Sequence, residues 1–153
     1  MISRKKGRLL ALDFGEKFIG VAVSDGLGIT AQGLGRITRS SPQADLDKIN
    51  KLIKEYLVEK LIIGLPKRMD GTLGTQAEAV MNFAEELRRA LGLEVVPWDE
   101  RLTTVEAERV MIKGELSRKK RKRIIDKLSA VLILQSYLDH LQFSSQGRVS
   151  NED

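Results

Sequence analysis

The 153-residue chain has no cysteine and a single histidine, His140. The first absence excludes disulfides and thiolate-bound metals, and it fits a reducing compartment, so a cytoplasmic location is expected. The second argues against a histidine-rich metal site and against Ser-His-Asp catalysis. No stretch approaches the roughly 20 apolar residues of a membrane span, and no membrane partner is expected. The start, Met1-Ile2-Ser3-Arg4-Lys5-Lys6, is basic. However, Leu9 to Leu12 is too short for the apolar core of a signal peptide, and Asp13 ends it. A Walker A loop is missing too. Gly15-Glu16-Lys17-Phe18-Ile19-Gly20 has the glycine spacing, but Val21 stands where the lysine belongs.

Charge is what the chain has in quantity: 31% of its residues are Asp, Glu, Lys or Arg, and the net charge is +5 with a pI near 9.6. An excess of cations favours an anionic partner. The distribution is uneven, because Arg118-Lys119-Lys120-Arg121-Lys122-Arg123 places six cations in a row. Such a run either forms a solvated loop or lies along a nucleic-acid backbone. It ends shortly before Asp126, which favours the second reading, and phosphate contacts of this kind give affinity without reading sequence.

Alternating elements follow from the pattern. Residues 8–14 and Phe18 to Ser24 read as two strands joined by the turn Gly15-Glu16-Lys17, a hairpin. A third strand is expected over residues 29–37. Ser41-Pro42 opens a helix with Leu46, Ile49, Ile53 and Tyr56/Leu57 at helical spacing. Leu61-Ile62-Ile63-Gly64-Leu65 has the wholly apolar character of a strand buried on both faces. A second helix carries Val80, Phe83, Ala84, Leu87 and Leu91 and stops at Gly92; Val95 to Trp98 is the last strand. Thr103-Thr104-Val105-Glu106 matches a capping box and opens a further helix, and a final one is expected from about Lys122 to Gln142. No repeat or linker divides the chain. One α/β domain with a mixed sheet is expected over residues 1–143, followed by a polar, disordered tail over 144–153.

Three acids stand where an ionised group is costly unless it is paired or binds a cation. Asp13 follows Leu9-Leu10-Ala11-Leu12 at the end of strand one, and Glu100 closes the last strand. Asp126 interrupts an apolar helical stretch, with Ser129 and Ile133 at helical spacing beyond it. Ligands of α/β sheets gather at the carboxyl ends of parallel strands, so adjacency of the two strand ends would bring Asp13 and Glu100 to one edge. A helix packed on the sheet would deliver Asp126. The result is an oxygen-rich site suited to two divalent ions acting on a phosphodiester. Lys17, Lys67 and Arg68 are candidate phosphate contacts in loops expected on the same edge; Arg101 is either a clamp or an ion-pair partner. Asp99 and Asp25 read as turn residues, and Trp98 as core.

Four separated motifs resemble those of the YqgF family, described both as Holliday junction resolvases and as nucleases for the small-subunit ribosomal RNA precursor. They are Leu12-Asp13-Phe14-Gly15-Glu16-Lys17-Phe18-Ile19-Gly20-Val21-Ala22, Ile63-Gly64-Leu65-Pro66 with Met69-Asp70-Gly71, Asp99-Glu100-Arg101-Leu102-Thr103-Thr104, and Asp126-Lys127-Leu128-Ser129-Ala130. The resemblance implies a ribonuclease-H-like fold: a five-stranded mixed sheet of order 3-2-1-4-5 flanked by helices, with the ends of strands one and four side by side. It also implies that Asp13, Glu100 and Asp126 form the active site, with Mg²⁺ or Mn²⁺, two ions, as cofactor. The substrate would be an RNA precursor or branched DNA, held by Lys17, Lys67, Arg68, Arg101 and Arg118, Lys119, Lys120, Arg121, Lys122 and Arg123. Junction resolvases of the superfamily tend to carry a further acid one helical turn beyond the last, and here that position is Ser129. This departure favours 5′ maturation of the 16S rRNA precursor, with the ribosome as a further partner, over junction cutting. A non-catalytic nucleic-acid or ribosome-binding module is the alternative from another class, opposed by retention of all three acids. A sugar-kinase-like phosphotransferase needs two such domains, and the chain has length for one. A monomer or weak dimer is expected.

Overall fold

Two runs of apolar residues with strand character, β1 (Arg8–Phe14) and β2 (Phe18–Ser24), pair antiparallel with Asp13 opposite Gly20 and Phe14 opposite Ile19. The computed structural model describes residues 7–66, 74–99 and 129–142. Within them a five-stranded sheet is completed by β3 (Ala31–Thr38), β4 (Val58–Leu65) and β5 (Glu94–Asp99), in the order β3-β2-β1-β4-β5. β3 runs antiparallel to β2, whereas β1, β4 and β5 run parallel to one another. This is the mixed sheet and strand order expected of a ribonuclease-H-like fold.

Alternation along the central strands assigns the two faces. Leu10 and Leu12 of β1 join Ile19, Val21 and Val23 of β2 in one core, covered by α1 (Pro42–Tyr56) and α2 (Thr75–Leu91). Leu9, Ala11 and Ala22 point the other way, with Ile62, onto α3, the helical residues 129–142. α3 buries Ala130, Ile133, Leu134, Tyr137 and Leu138, the i, i+3, i+4, i+7, i+8 stripe of a helix lying on a sheet. Each fully buried Leu or Ile stabilises this three-layer arrangement by about 1.5–3 kcal/mol before entropy is counted.

Local chemistry sets the helix ends. Ser41 caps α1 by accepting the Ala44 N–H at 3.2 Å, and Pro42 supplies a φ already suited to the first turn. Gly92, with φ of 67°, ends α2 and donates its N–H to the Arg88 carbonyl. α1 ends instead on Leu57, held at φ of 54° without the freedom of glycine.

β1 spans the expected residues 8–14, and at its end the Phe14 ring stacks on Phe83 of α2 with centroids 4.5 Å apart. The structure moves two expected boundaries. β3 begins at Ala31, not at residue 29, because Asp25 closes a loop ahead of it. Asp25 Oδ1 accepts the Ile29 N–H at 2.8 Å, and its backbone N–H donates to the Thr30 carbonyl at 3.0 Å. The turn role expected for Asp25 is thereby met. Asp99, expected in a turn, is still within β5, paired with Leu65. The helix expected from Thr103, the start of the final helix near Lys122 and the tail 144–153 lie outside the described residues. No described helix is long and apolar enough to cross a membrane.

Candidate active site

Asp13 is positioned by strand alternation. It shares the face of Leu9 and Ala11, towards α3, and lies at the carboxyl edge where β1, β4 and β5 all end. Beyond Ala11 and the β1–β4 pairing of Leu12 with Ile63 the apolar run stops, and the half-buried Asp13 faces a neighbour, Gly20, that has no side chain. A shallow pocket of about 150 Å³ opens there, lined by Asp13, Phe18, Gly20, Arg36 and the turn residues Gly15, Glu16 and Lys17. Lys17 is exposed in the β1–β2 turn and lines the same pocket as Asp13.

That turn is braced from the opposite face. The Gly15 N–H donates to the Phe18 carbonyl at 2.9 Å. Arg39 Nη1 donates to the carbonyls of Gly15 at 2.8 Å and Glu16 at 3.1 Å, and the Arg39 backbone N–H donates to Lys17 O. The Arg39 guanidinium lies 4.2 Å from the centroid of Phe14. Its buried Nε makes no hydrogen bond but has Asp45 Oδ2 at 3.8 Å as counter-charge. Asp45 is itself buried at the start of α1 and accepts the Ser40 N–H at 3.0 Å. An acid, an arginine and two carbonyls thus fix the backbone that follows Asp13.

The strand ends are not arranged as adjacency of β1 and β5 would require. β4 lies between them, so Asp13 and the end of β5 are separated by two strand spacings, roughly 10 Å. β1 and β4 are neighbours, as the family resemblance implies. Along β5, Val96 and Trp98 pack on the α3 face, and the parity of Asp99 is the opposite one. Trp98 packs as expected of a core residue: its indole N–H donates to Ser136 at 3.2 Å and its ring meets Tyr137 edge-on at 5.1 Å. Ser129 is half-buried at the first described position of α3.

Glu100 and Asp126 lie outside the described residues, as do Lys67, Arg68, Arg101 and the run from Arg118 to Arg123. Among the described residues no group of three metal-ligating side chains is found. Asp45, Arg39 and Arg36 were not singled out by sequence. Asp45 had a signal, an acid in the first turn of a helix whose Ser41 cap was legible. Arg36 had none, because its place beside Gly20 depends on the register of β3.

Known proteins extend this picture. A curated relative from Thermoanaerobacter pseudethanolicus, named "Putative pre-16S rRNA nuclease", is 56% identical over 133 residues, which is 86% of this chain and 96% of that one. A Bacillus mycoides protein of the same name is 54% identical over 134 residues, with 86% and 98% covered. Among solved structures, Thermus thermophilus RuvC in complex with a Holliday junction substrate superposes with a TM-score of 0.62 over 91% of this chain and 97% of that one. At 14% identity this likeness concerns the fold alone. The family model for RuvX, described as Holliday junction resolvase, matches residues 7–140, and the chain belongs to that family.

Proposed function

We propose that the protein is a divalent-metal-dependent nuclease that hydrolyses a phosphodiester bond at the 5′ end of the 16S ribosomal RNA precursor, in the cytoplasm. The observation that carries the reading is the place of Asp13. It is a carboxylate at the carboxyl edge of three parallel strands, facing a glycine, in a chain more than half identical to relatives named for that substrate. Glu100 and Asp126 are proposed to complete the site. Glu100 has the sequence parity of Val96 and Trp98, and Asp126 stands four residues before Ala130 and seven before Ile133. All four of those apolar residues pack on the face that Asp13 shares.

The donor chemistry fits a hard cation. Asp13 offers carboxylate oxygens from a central strand, and the chain has neither cysteine nor a histidine outside position 140 to attract a softer metal. Asp13 does not suffice by itself, so a resident Mg²⁺ or Mn²⁺ pair requires Glu100 and Asp126 as further ligands. When bound, such ions supply an activated water and charge neutralisation at the leaving oxygen. The chain's own contribution is to present Asp13 from a central strand and to keep the β1–β2 turn in place through Arg39. Lys17, Lys67, Arg68, Arg101 and the cations from Arg118 to Arg123 are proposed to grip the phosphates either side of the scissile bond. One domain over residues 1–143, acting as a monomer or weak dimer on a ribosome-associated substrate, accommodates these roles.

Cutting of a four-way DNA junction is the second reading, favoured by the description of the matching family model. Purified protein incubated with 16S precursor RNA and with a four-way junction, each with Mg²⁺, with Mn²⁺ and with chelator, separates the two. Metal-dependent cleavage of the precursor with the junction left intact supports the first reading, and the converse result replaces it with the second. No cleavage of either substrate with both metals overturns the nuclease reading itself.

A further inference from the structure

Gly20 is the centre of a row that crosses three strands. β1 places Asp13 on one side of it and β3 places Arg36 on the other, in register. All three residues therefore belong to one face of the sheet. Arg36 is exposed, yet its guanidinium is 3.8 Å from the centroid of the Phe18 ring. A long cationic side chain that would otherwise sample many rotamers is held over an aromatic face. The same pocket is lined by Arg36, Phe18, Lys17 and Asp13, and the missing side chain of Gly20 leaves the space between the carboxylate and the guanidinium open.

β3 is an edge strand among the described residues, and an ion pair for Arg36 is not among the four found there. Holding the planar guanidinium in one place costs side-chain entropy, and that cost is recovered when an acceptor with two anionic oxygens arrives. A phosphodiester, with its two non-bridging oxygens, is such an acceptor. The Cα separation across two antiparallel pairings is about 10 Å, so Asp13 and Arg36 address different points along a bound backbone.

We propose that Arg36, stacked on Phe18, is a phosphate clamp for the substrate strand as it leaves Asp13 across β2 towards β3. The assignment rests on the nuclease reading above and deepens it, by giving the strand a direction over the sheet. Phe18 is a positioning residue that acts through Arg36.

The test measures binding apart from cleavage. The probes are a labelled single-stranded RNA of 16S precursor sequence and a four-way DNA junction, titrated with full-length protein in chelator over a range of salt. Arg36→Gln is expected to weaken binding several-fold and to flatten the slope of log affinity against log salt by about 0.7 on the single strand or about 0.9 on duplex arms. Arg36→Lys keeps the charge without the planar stack, so it restores the slope but only part of the affinity. Phe18→Leu keeps the cation unheld and gives an intermediate loss. Neutralising Lys54, an exposed cation on α1 across the sheet, leaves both quantities unchanged. An Arg36→Gln protein with wild-type affinity and slope on both probes overturns the clamp. That result is distinguishable from failure of the nuclease reading, which appears as absence of cleavage by the wild type while binding persists. A wild type that binds neither probe overturns both.

Discussion

Asp13 and Asp45 belong to opposite faces of the sheet and serve different ends. Asp45 is buried, accepts a backbone N–H and faces Arg39, so its charge is spent on structure. Asp13 is half-buried at a strand edge in front of Gly20, where a carboxylate costs less and remains within reach of a ligand. Sequence alone picked out Asp13 because an acid after four apolar residues is conspicuous. It missed Asp45, because an acid near a helix start is ordinary. Asp13→Asn preserves shape and removes the charge. Cleavage by the variant should fall below detection, while melting without metal should move by no more than about 2–4 °C, the equivalent of about 1 kcal/mol in a chain of this size. Normal cleavage would remove Asp13 from the chemistry, and a larger fall in melting temperature would assign it to structure. Asp25 yields a prediction of a different kind. The Ile29 N–H, helped by the N–H and hydroxyl of Thr30 and by the Gly28 N–H, holds its carboxyl below the ordinary value of 3.8, against an opposing effect of desolvation second in size to the Ile29 bond. A depressed folded-state pKa means that the stabilisation is present above the unfolded value and is lost as pH falls through the lowered one. The melting temperature of Asp25→Asn should therefore lie below wild type at neutral pH and converge on it in acid below 3.8. A gap that stays constant with pH would show that the charge is not involved.

At the scale of elements, strands and helices on the apolar pattern were legible, and their junctions less so. Leu61 to Leu65 announced a strand buried on both faces, and β4 lies between β1 and β5 accordingly. That intervening place is what rules out adjacency of the β1 and β5 ends, a matter of strand order that no local pattern encodes. The weakest expectation, β3, was weak for a physical reason. Its glycines carry no side chain to declare a face; Gly33 admits a close neighbour and Gly35 a positive φ. A Cβ built at Gly33 would meet Val131 Cγ2 of α3 at 3.2 Å, and Gly35, at φ of 94°, sits beside the register shift between Val21 and Ala22. α3 is also tied to this end of the sheet by Gln135, whose amide accepts the Ala31 N–H at 3.0 Å and donates to Ile29 O at 2.9 Å. Gly33→Val should consequently push α3 from the sheet, costing about 1–3 kcal/mol of stability despite the better strand propensity of valine. Pairing it with Val131→Ala should return most of that loss. If Gly33→Val alone leaves the denaturation midpoint unchanged, the close contact between β3 and α3 is not what holds the helix in place.

For the whole molecule the deciding quantity is where the positive charge lies. The net charge is +5, and the run from Arg118 to Arg123 alone carries six cations, so the rest of the chain is close to neutral. On the proposed reading, long-range attraction of a polyanion depends on that run, whereas Lys17 and Arg36, which line the Asp13 pocket, would act at short range. The two contributions separate in a salt titration. Each phosphate neutralised adds about −0.7 to the slope of log affinity against log salt on a single strand and about −0.9 on B-form DNA. Changing Arg118, Lys119, Lys120 and Arg121 together to Ser should flatten the slope by roughly two to three units, if most of them meet phosphates. The loss should be similar for unrelated sequences, since such contacts position a strand without reading bases. The rate of cleavage at saturating substrate should change little, because the acids are untouched. Combining the four changes with Arg36→Gln should flatten the slope by the sum of the separate effects, as expected for sites that neutralise different phosphates. A slope unaltered by the four serines would show the run to be a solvated loop. Attraction of the substrate would then fall to Lys17, Arg36 and the Lys67-Arg68 pair.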